Sequence, residues 1–215
     1  MTHERKWERG SELSRVRSGA RPGSPAKGRV RRTVGCFLPV AAALFLCLAT
    51  AAKAVDAGTV PEPEGYRTDD YRSPVPKTLS GARVIGADEA ETLRTAGAVF
   101  IDVFPRAPKP PNLPVGTVWR DPTHMTIEGA HWLPNVGYGV LSAEFEAYFK
   151  SRLDRLTSGD RARPVVFFCL KDCWMSWNAG KRALEWGYTN VIWFSEGTDA
   201  WQEAGFDLVK ATPVP

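Results

Sequence analysis

The stretch Pro164-Val-Val-Phe-Phe-Cys169 limits the possible folds more than any other part of this chain. An apolar run behind a proline, rich in β-branched and aromatic residues and without a polar face, reads as a strand buried on both sides. Such strands belong to parallel sheets, whose crossover connections lay helices over both faces. The remaining pattern agrees. Ala82-Arg-Val-Ile85 reads as a short strand, and Asp88 to Gly97 as a helix with Asp88 and Glu91 in capping-box spacing and Gly97 as its stop. Ala98 to Val103 is an apolar strand closing at Asp102, and Asn190 to Phe194 another. Ala143 to Leu156 carries Phe145, Phe149, Leu153 and Leu156 on one helical face behind a Ser142 N-cap. Further helices are expected from near Ser176 to Gly187 and over Thr198 to Ala204. Pro105 to Pro122 holds six prolines and reads as an irregular insertion. The expected fold is α/β, one small parallel sheet with helices on both faces.

The N-terminal quarter does not belong to that fold. Val34 to Ala52 is almost continuously apolar, follows the basic stretch Lys27 to Arg32, and ends at Ala52-Lys53-Ala54. A basic flank, an apolar segment and an A-x-A exit make a secretory signal, with cleavage expected after Ala54 and no membrane anchor left behind. Met1 to Gly28 is longer and more polar than a signal requires, and is read as an extension ahead of a start near Val30. Residues 1–54 carry 11 Lys+Arg against 3 Asp+Glu, so their removal turns a net charge of +4 into −4. The basic balance is therefore no argument for nucleic-acid binding. Of the 215 residues, the 161 that remain suffice for one core. The expected layout is an extended arm or linker over 55–81, a domain over 82–208 and a tail over 209–215, in the periplasm.

Cleavage removes Cys36 and Cys47, leaving Cys169 and Cys173. A bridge across so short a loop closes little chain and adds little stability, so the pair points to reactivity. Cys169 ends the most apolar strand, where ligands of open parallel sheets gather. Backbone N–H groups of a loop leading into a helix can cradle a thiolate, and Cys169 is expected to be the more nucleophilic of the two. The loop residues Leu170, Lys171, Asp172, Trp174, Met175 and Ser176 are the candidate substrate contacts. Asp102 reads as a loop cap, and His124 and His131 as solvated or core-capping. Trp186, Trp193 and Trp201 read as core, while Trp174 and Trp177 flank the loop.

Several ordered motifs carry a resemblance. Val165 to Cys169, Gly187-Tyr188-Thr-Asn190-Val191 and Glu196-Gly-Thr-Asp-Ala-Trp201, with Phe100-Ile-Asp-Val103 and His124 to Ala130 upstream, resemble a rhodanese domain from about Ala82 to Leu208. Cys169-Leu-Lys-Asp-Cys173-Trp174 is further similar to an exported subgroup with a cysteine-pair–tryptophan (CXXCW) motif, associated with PQQ-dependent (quinoprotein) alcohol catabolism. The resemblance implies sulfur transfer through a Cys169 persulfide, a small sulfur donor or thiol partner protein, service to an exported quinoprotein system, and no bound cofactor.

This sequence also departs from the family. Its loop is one residue longer, Lys171 is its only cation, and it holds a second cysteine. Cys173 could resolve a persulfide on Cys169 into a disulfide, which favours thiol–disulfide exchange beside sulfur transfer. Met175 and Ser176 stand where a rhodanese-fold phosphatase needs an arginine. Cys169, Cys173 and Met175 are soft ligands suited to Cu(I), so a copper carrier is the alternative from another class, together with a silent partner-binding module.

Overall fold

The computed structural model describes residues 59–215. The signal segment, its exit at Ala54 and the possible start near Val30 lie outside the described residues. Among those described, no helix is long and apolar enough to cross a membrane.

Five strands form one sheet in the order β1-β6-β5-β2-β4. They are β1 (Arg83–Val84), β2 (Val99–Asp102), β4 (His131–Trp132), β5 (Val165–Phe168) and β6 (Val191–Phe194). Every pairing is parallel. The helices are α1 (Ala87–Thr95), α2 (Ala143–Thr157), α3 (Trp174–Glu185) and α4 (Gly197–Glu203). The α/β expectation with helices on both faces holds.

Side-chain alternation shows how the faces are filled. Val165 and Phe167 of β5 pack with Phe149 and Leu153 of α2 and Ala179 and Ala183 of α3. Val166 and Phe168 point the other way, into a cluster with Ala90 of α1 and Trp201 of α4. All four are completely buried, as a strand covered on both faces requires.

Local expectations fare unevenly. Ser142 caps α2 by accepting the Phe145 N–H at 3.3 Å. Phe149 and Leu153 are buried, whereas Phe145 is 38 % exposed in the first turn, where α2 leaves the core. The Asp88/Glu91 capping box does not form: Gly86 is the N-cap and no side chain caps α1. Glu91 instead pairs with Arg94 one turn on. A charge-assisted pair competes successfully for that carboxylate.

Two further corrections concern the borders. A second, two-stranded antiparallel sheet joins β3 (Met125–Ile127) to β7 (Leu208–Lys210), taking in the start of the supposed tail. Beyond it, Val214 N–H donates to the Trp132 carbonyl and Tyr148 OH to that of Val214. The arm is no linker either. Leu79 joins Trp174, Trp177 and Trp193 in a third apolar cluster, with Val60, Tyr71 and Val75 packed against it.

Candidate functional site

Parity along β5 places the first cysteine. Val165 and Phe167 face α2 and α3, so Cys169 continues toward that side and joins the same core cluster. α3 begins at Trp174, not near Ser176, and Cys173 is its N-cap. The helix therefore opens directly after the second cysteine, and Trp174, Met175 and Ser176 form its first turn rather than loop. The two sulfurs lie 2.7 Å apart as free thiols. A disulfide needs ~2.05 Å, so bond formation requires a displacement well under 1 Å.

The connection between the cysteines is held from the β6–α4 corner. Thr198 N–H donates to the Cys169 carbonyl at 3.0 Å, and Lys171 N–H to Asp199 Oδ2 at 2.8 Å. Gly197 makes this approach possible. At φ +52° a side chain is strained, and a Cβ there would sit 2.0 Å from the Cys169 carbonyl oxygen. Asp172 takes the left-handed conformation, φ +53°, which Asp tolerates better than most residues.

The two thiols sit in different electrostatic environments. The Cys173 pKa falls from 9.0 to about 7, first through the thiol hydrogen bond from Cys169, then through the N–H groups of Met175 and Leu170 and the charge of Arg72, against burial. As the N-cap of α3, Cys173 makes no regular capping hydrogen bond through its side chain. The first N–H groups of a helix have no partners within it, so their field favours an anion at this position. Burial pushes the Cys169 thiol up, and the hydrogen bond to Cys173 and the charges of Cys173 and Asp102 add to that. The start of α3 thus adjoins Cys173, while the Leu170 N–H acts on both sulfurs. The sequence reading starts α3 two residues late.

The other loop residues divide into two groups. Lys171 is exposed, and its ammonium lies 3.8 Å from Glu196 Oε1. Leu170 bridges to Gly197. Trp174, Met175 and Ser176 are 2 %, 1 % and 0 % exposed, so their side chains are core rather than substrate contacts as they stand. Ser176 Oγ donates to the Cys173 carbonyl at 3.2 Å and accepts from Trp193 Nε1 at 3.0 Å. Trp174 and Trp177 face the arm, and Trp174 lines a cleft of about 380 Å³ with Val60, Tyr66 and Arg67. They seat the arm: Trp174 Nε1 donates to Ser73 Oγ, and Trp177 Nε1 to the Thr78 carbonyl. Trp186, Trp193 and Trp201 all pack against the core clusters, Trp186 only partly buried. Among the described residues, no group of three or more His, Cys, Asp or Glu side chains could hold a metal ion.

Asp102 does cap a loop, through Phe104 N–H at 2.9 Å. Its other oxygen accepts from Thr126 Oγ1 at 2.6 Å and meets His124 Nε2 at 2.7 Å. His124 is stacked on Phe104 with ring centroids 4.6 Å apart and leans on Trp132. It lies on a cleft of about 420 Å³ that includes Pro105, Arg106 and Tyr138. His131 is half-buried, and burial lowers its pKa below 6.5. In the sheet Asp102 sits opposite Phe168, so Asp102 and Cys169 flank the gap between β2 and β5. From β2 the chain leaves toward β4, and from β5 toward β6, in opposite directions across the sheet. That gap is the topological switch point, where ligands of such sheets bind.

Arg72, whose charge acts on Cys173, is a residue that sequence reasoning did not single out. It belongs to a proline-rich stretch read as arm, nearly a hundred positions from the loop, with no motif to mark it.

No family model matches the chain, and no curated protein does. Among solved structures, the chain is similar to a polysulfide-sulfur transferase from Wolinella succinogenes, a 30 kDa homodimer, at 19% identity over 61% of this chain and 80% of that one, with a TM-score of 0.40.

Proposed function

We propose that this chain is an exported rhodanese-like thiol protein that takes up sulfane sulfur and handles it as a dithiol, Cys173 attacking and Cys169 resolving. The observation carrying this reading is the 2.7 Å separation of the two sulfurs. A persulfide on either cysteine lies within reach of the other, so it is short-lived by construction. The roles follow from the environments: the helix N-cap favours a thiolate, and the buried strand end favours a thiol.

The reaction balances as follows. The Cys173 thiolate attacks the outer sulfur of an anionic donor such as thiosulfate. The donor S–S bond breaks, sulfite leaves with the electron pair, and a Cys173 persulfide remains. Cys169 then attacks the Cys173 Sγ, and the terminal sulfur leaves as hydrosulfide with the Cys169 proton. Two electrons have passed from the dithiol to the sulfane sulfur, and an external thiol reductant reopens the disulfide. A thiol acceptor that reaches the persulfide first takes the sulfur instead, which is sulfur transfer proper.

Mass spectrometry of the purified protein with and without thiosulfate tests this. Wild type should become two hydrogens lighter and release sulfide, while Cys169→Ser should become one sulfur atom heavier at Cys173. A copper adduct would favour the carrier reading, and unchanged free thiols in every condition would leave a silent binding module. Export, and service to a PQQ-dependent alcohol-oxidising system, belong to the same proposal. They are supported by the signal pattern and the motif resemblance. N-terminal sequencing of periplasmic protein, beginning at or near Val55, tests the first.

A further inference from the structure

A thiolate at Cys173 needs a cation, and the loop does not supply it. Lys171 is turned toward Glu196, and α3 has no basic residue in its first turn. Asp172 and, beyond Cys169, Asp102 add negative charge, while Asp199 is engaged with the Lys171 N–H. The arm runs past the same point. Residues 66–73 lie as a strap along α3, fastened at four points. Arg67 N–H donates to Asn178 Oδ1 at 3.0 Å, and Asn178 Nδ2 returns a bond to the Arg67 carbonyl at 2.8 Å. Trp174 N–H, the first of α3, donates to the Tyr71 carbonyl at 2.9 Å, and the Trp174 indole to Ser73 Oγ at 3.1 Å.

Those last two bonds bracket Arg72. Trp174 follows Cys173 directly, and its backbone and side chain pin the residues on either side of Arg72. The backbone of Arg72 is thereby held beside the second cysteine, while its side chain stays exposed. The other strap charges are occupied: the Arg67 guanidinium lies over the Trp174 ring and pairs with Asp69 and Asp70.

We propose that Arg72 is the positioning residue that holds negative charge at Cys173, both the thiolate and the anionic end of a small donor of the thiosulfate class. The inference rests on the dithiol reading. It makes the strap part of the reactive site rather than its cover, and it assigns the donor as an anion. The direction in which Arg72 moves the Cys173 pKa agrees.

The test is titration of the full chain by thiolate absorbance and by the pH dependence of alkylation, in wild type, Arg72→Ala, Arg72→Lys and Ser73→Ala. Through water, one guanidinium should be worth about half a pH unit. Arg72→Ala should therefore raise the Cys173 pKa by about that much at low salt, Arg72→Lys should restore it, and ~1 M salt should erase the difference. The thiosulfate KM should rise in Arg72→Ala and recover in Arg72→Lys. Ser73→Ala, which loosens the strap but keeps the charge, separates electrostatics from packing. An unmoved pKa in Arg72→Ala, or an equal shift in Ser73→Ala, overturns the role of Arg72 and leaves the dithiol standing. A wild-type Cys173 that does not titrate near neutrality overturns both.

Discussion

Replacing Gly197 by alanine adds one methyl group at the point where the β6–α4 corner meets the cysteine loop. Its Cβ would lie 2.0 Å from the Cys169 carbonyl oxygen and 2.6 Å from the carbonyl carbon. These are backbone atoms, so no side chain can swing aside. The φ of +52° adds the strain of a left-handed non-glycine residue, ~1–2 kcal/mol. Relief requires the Cys169–Leu170 peptide to retreat, which breaks the Thr198 N–H bond to the Cys169 carbonyl. Leaving that buried pair unmade costs ~1–3 kcal/mol. The two contributions together predict a loss of about 2–5 kcal/mol, read as a fall in urea midpoint at unchanged slope. Gly65 has open space around its Cβ position, and Gly65→Ala is the matched control with a change under ~0.5 kcal/mol. Because the displaced peptide carries Cys169, oxidation to the disulfide should slow in the same variant. A loss below ~1 kcal/mol with wild-type oxidation kinetics would refute the argument that this contact fixes the loop.

Alkylation at mildly acidic pH should label Cys173 before Cys169, checked by peptide mapping; the opposite order would mean the helix start does not favour its thiolate. The reduced protein should gain stability as pH rises from 7 to 9, because Cys173 ionises near 7 folded and near 9.0 unfolded. Above pH 9 the raised Cys169 pKa reverses the slope, giving a maximum near 9 in urea midpoints that Cys173→Ser should flatten below that pH. Asp102→Asn should destabilise by ~2–4 kcal/mol in thermal or urea unfolding, since a buried carboxylate with three partners is replaced by an amide that cannot accept from all of them. Asn178→Ala removes the bonds joining the strap, the Gly137 carbonyl and α3, and should open the strap to trypsin before global unfolding.

The architecture was legible because burial is written in composition. The apolar strands β2, β5 and β6 and the amphipathic α2 follow from side-chain periodicity alone. The small sheet of β3 and β7 was not, since three-residue strands far apart in sequence carry no periodicity of their own. Within the site, the cysteine pair was visible, and the start of α3 directly behind it was not. Trp174 and Met175 look like loop residues beside a reactive cysteine, but the N–H of Trp174 finds its acceptor in Tyr71, and that distant carbonyl lets α3 begin there. The partner of Asp102 was equally hidden. His124 reaches it across the whole insertion, so the pairing depends on tertiary geometry rather than local pattern.

The strap bears on modularity. Motif boundaries suggest an autonomous piece over 82–208, yet the first N–H of α3 is satisfied only by Tyr71, and three tryptophans share their cluster with Leu79, Val60 and Val75. A piece cut at 82 would carry an uncapped helix and a bared aromatic face next to its reactive sulfurs. Such a face is sticky, and the uncapped turn holds Cys173 less firmly. Grafting this site into another protein, or swapping it between relatives, therefore has to carry the upstream twenty-odd residues along. The inheritable unit of chemistry here is the loop together with a stretch of chain that no motif search would include.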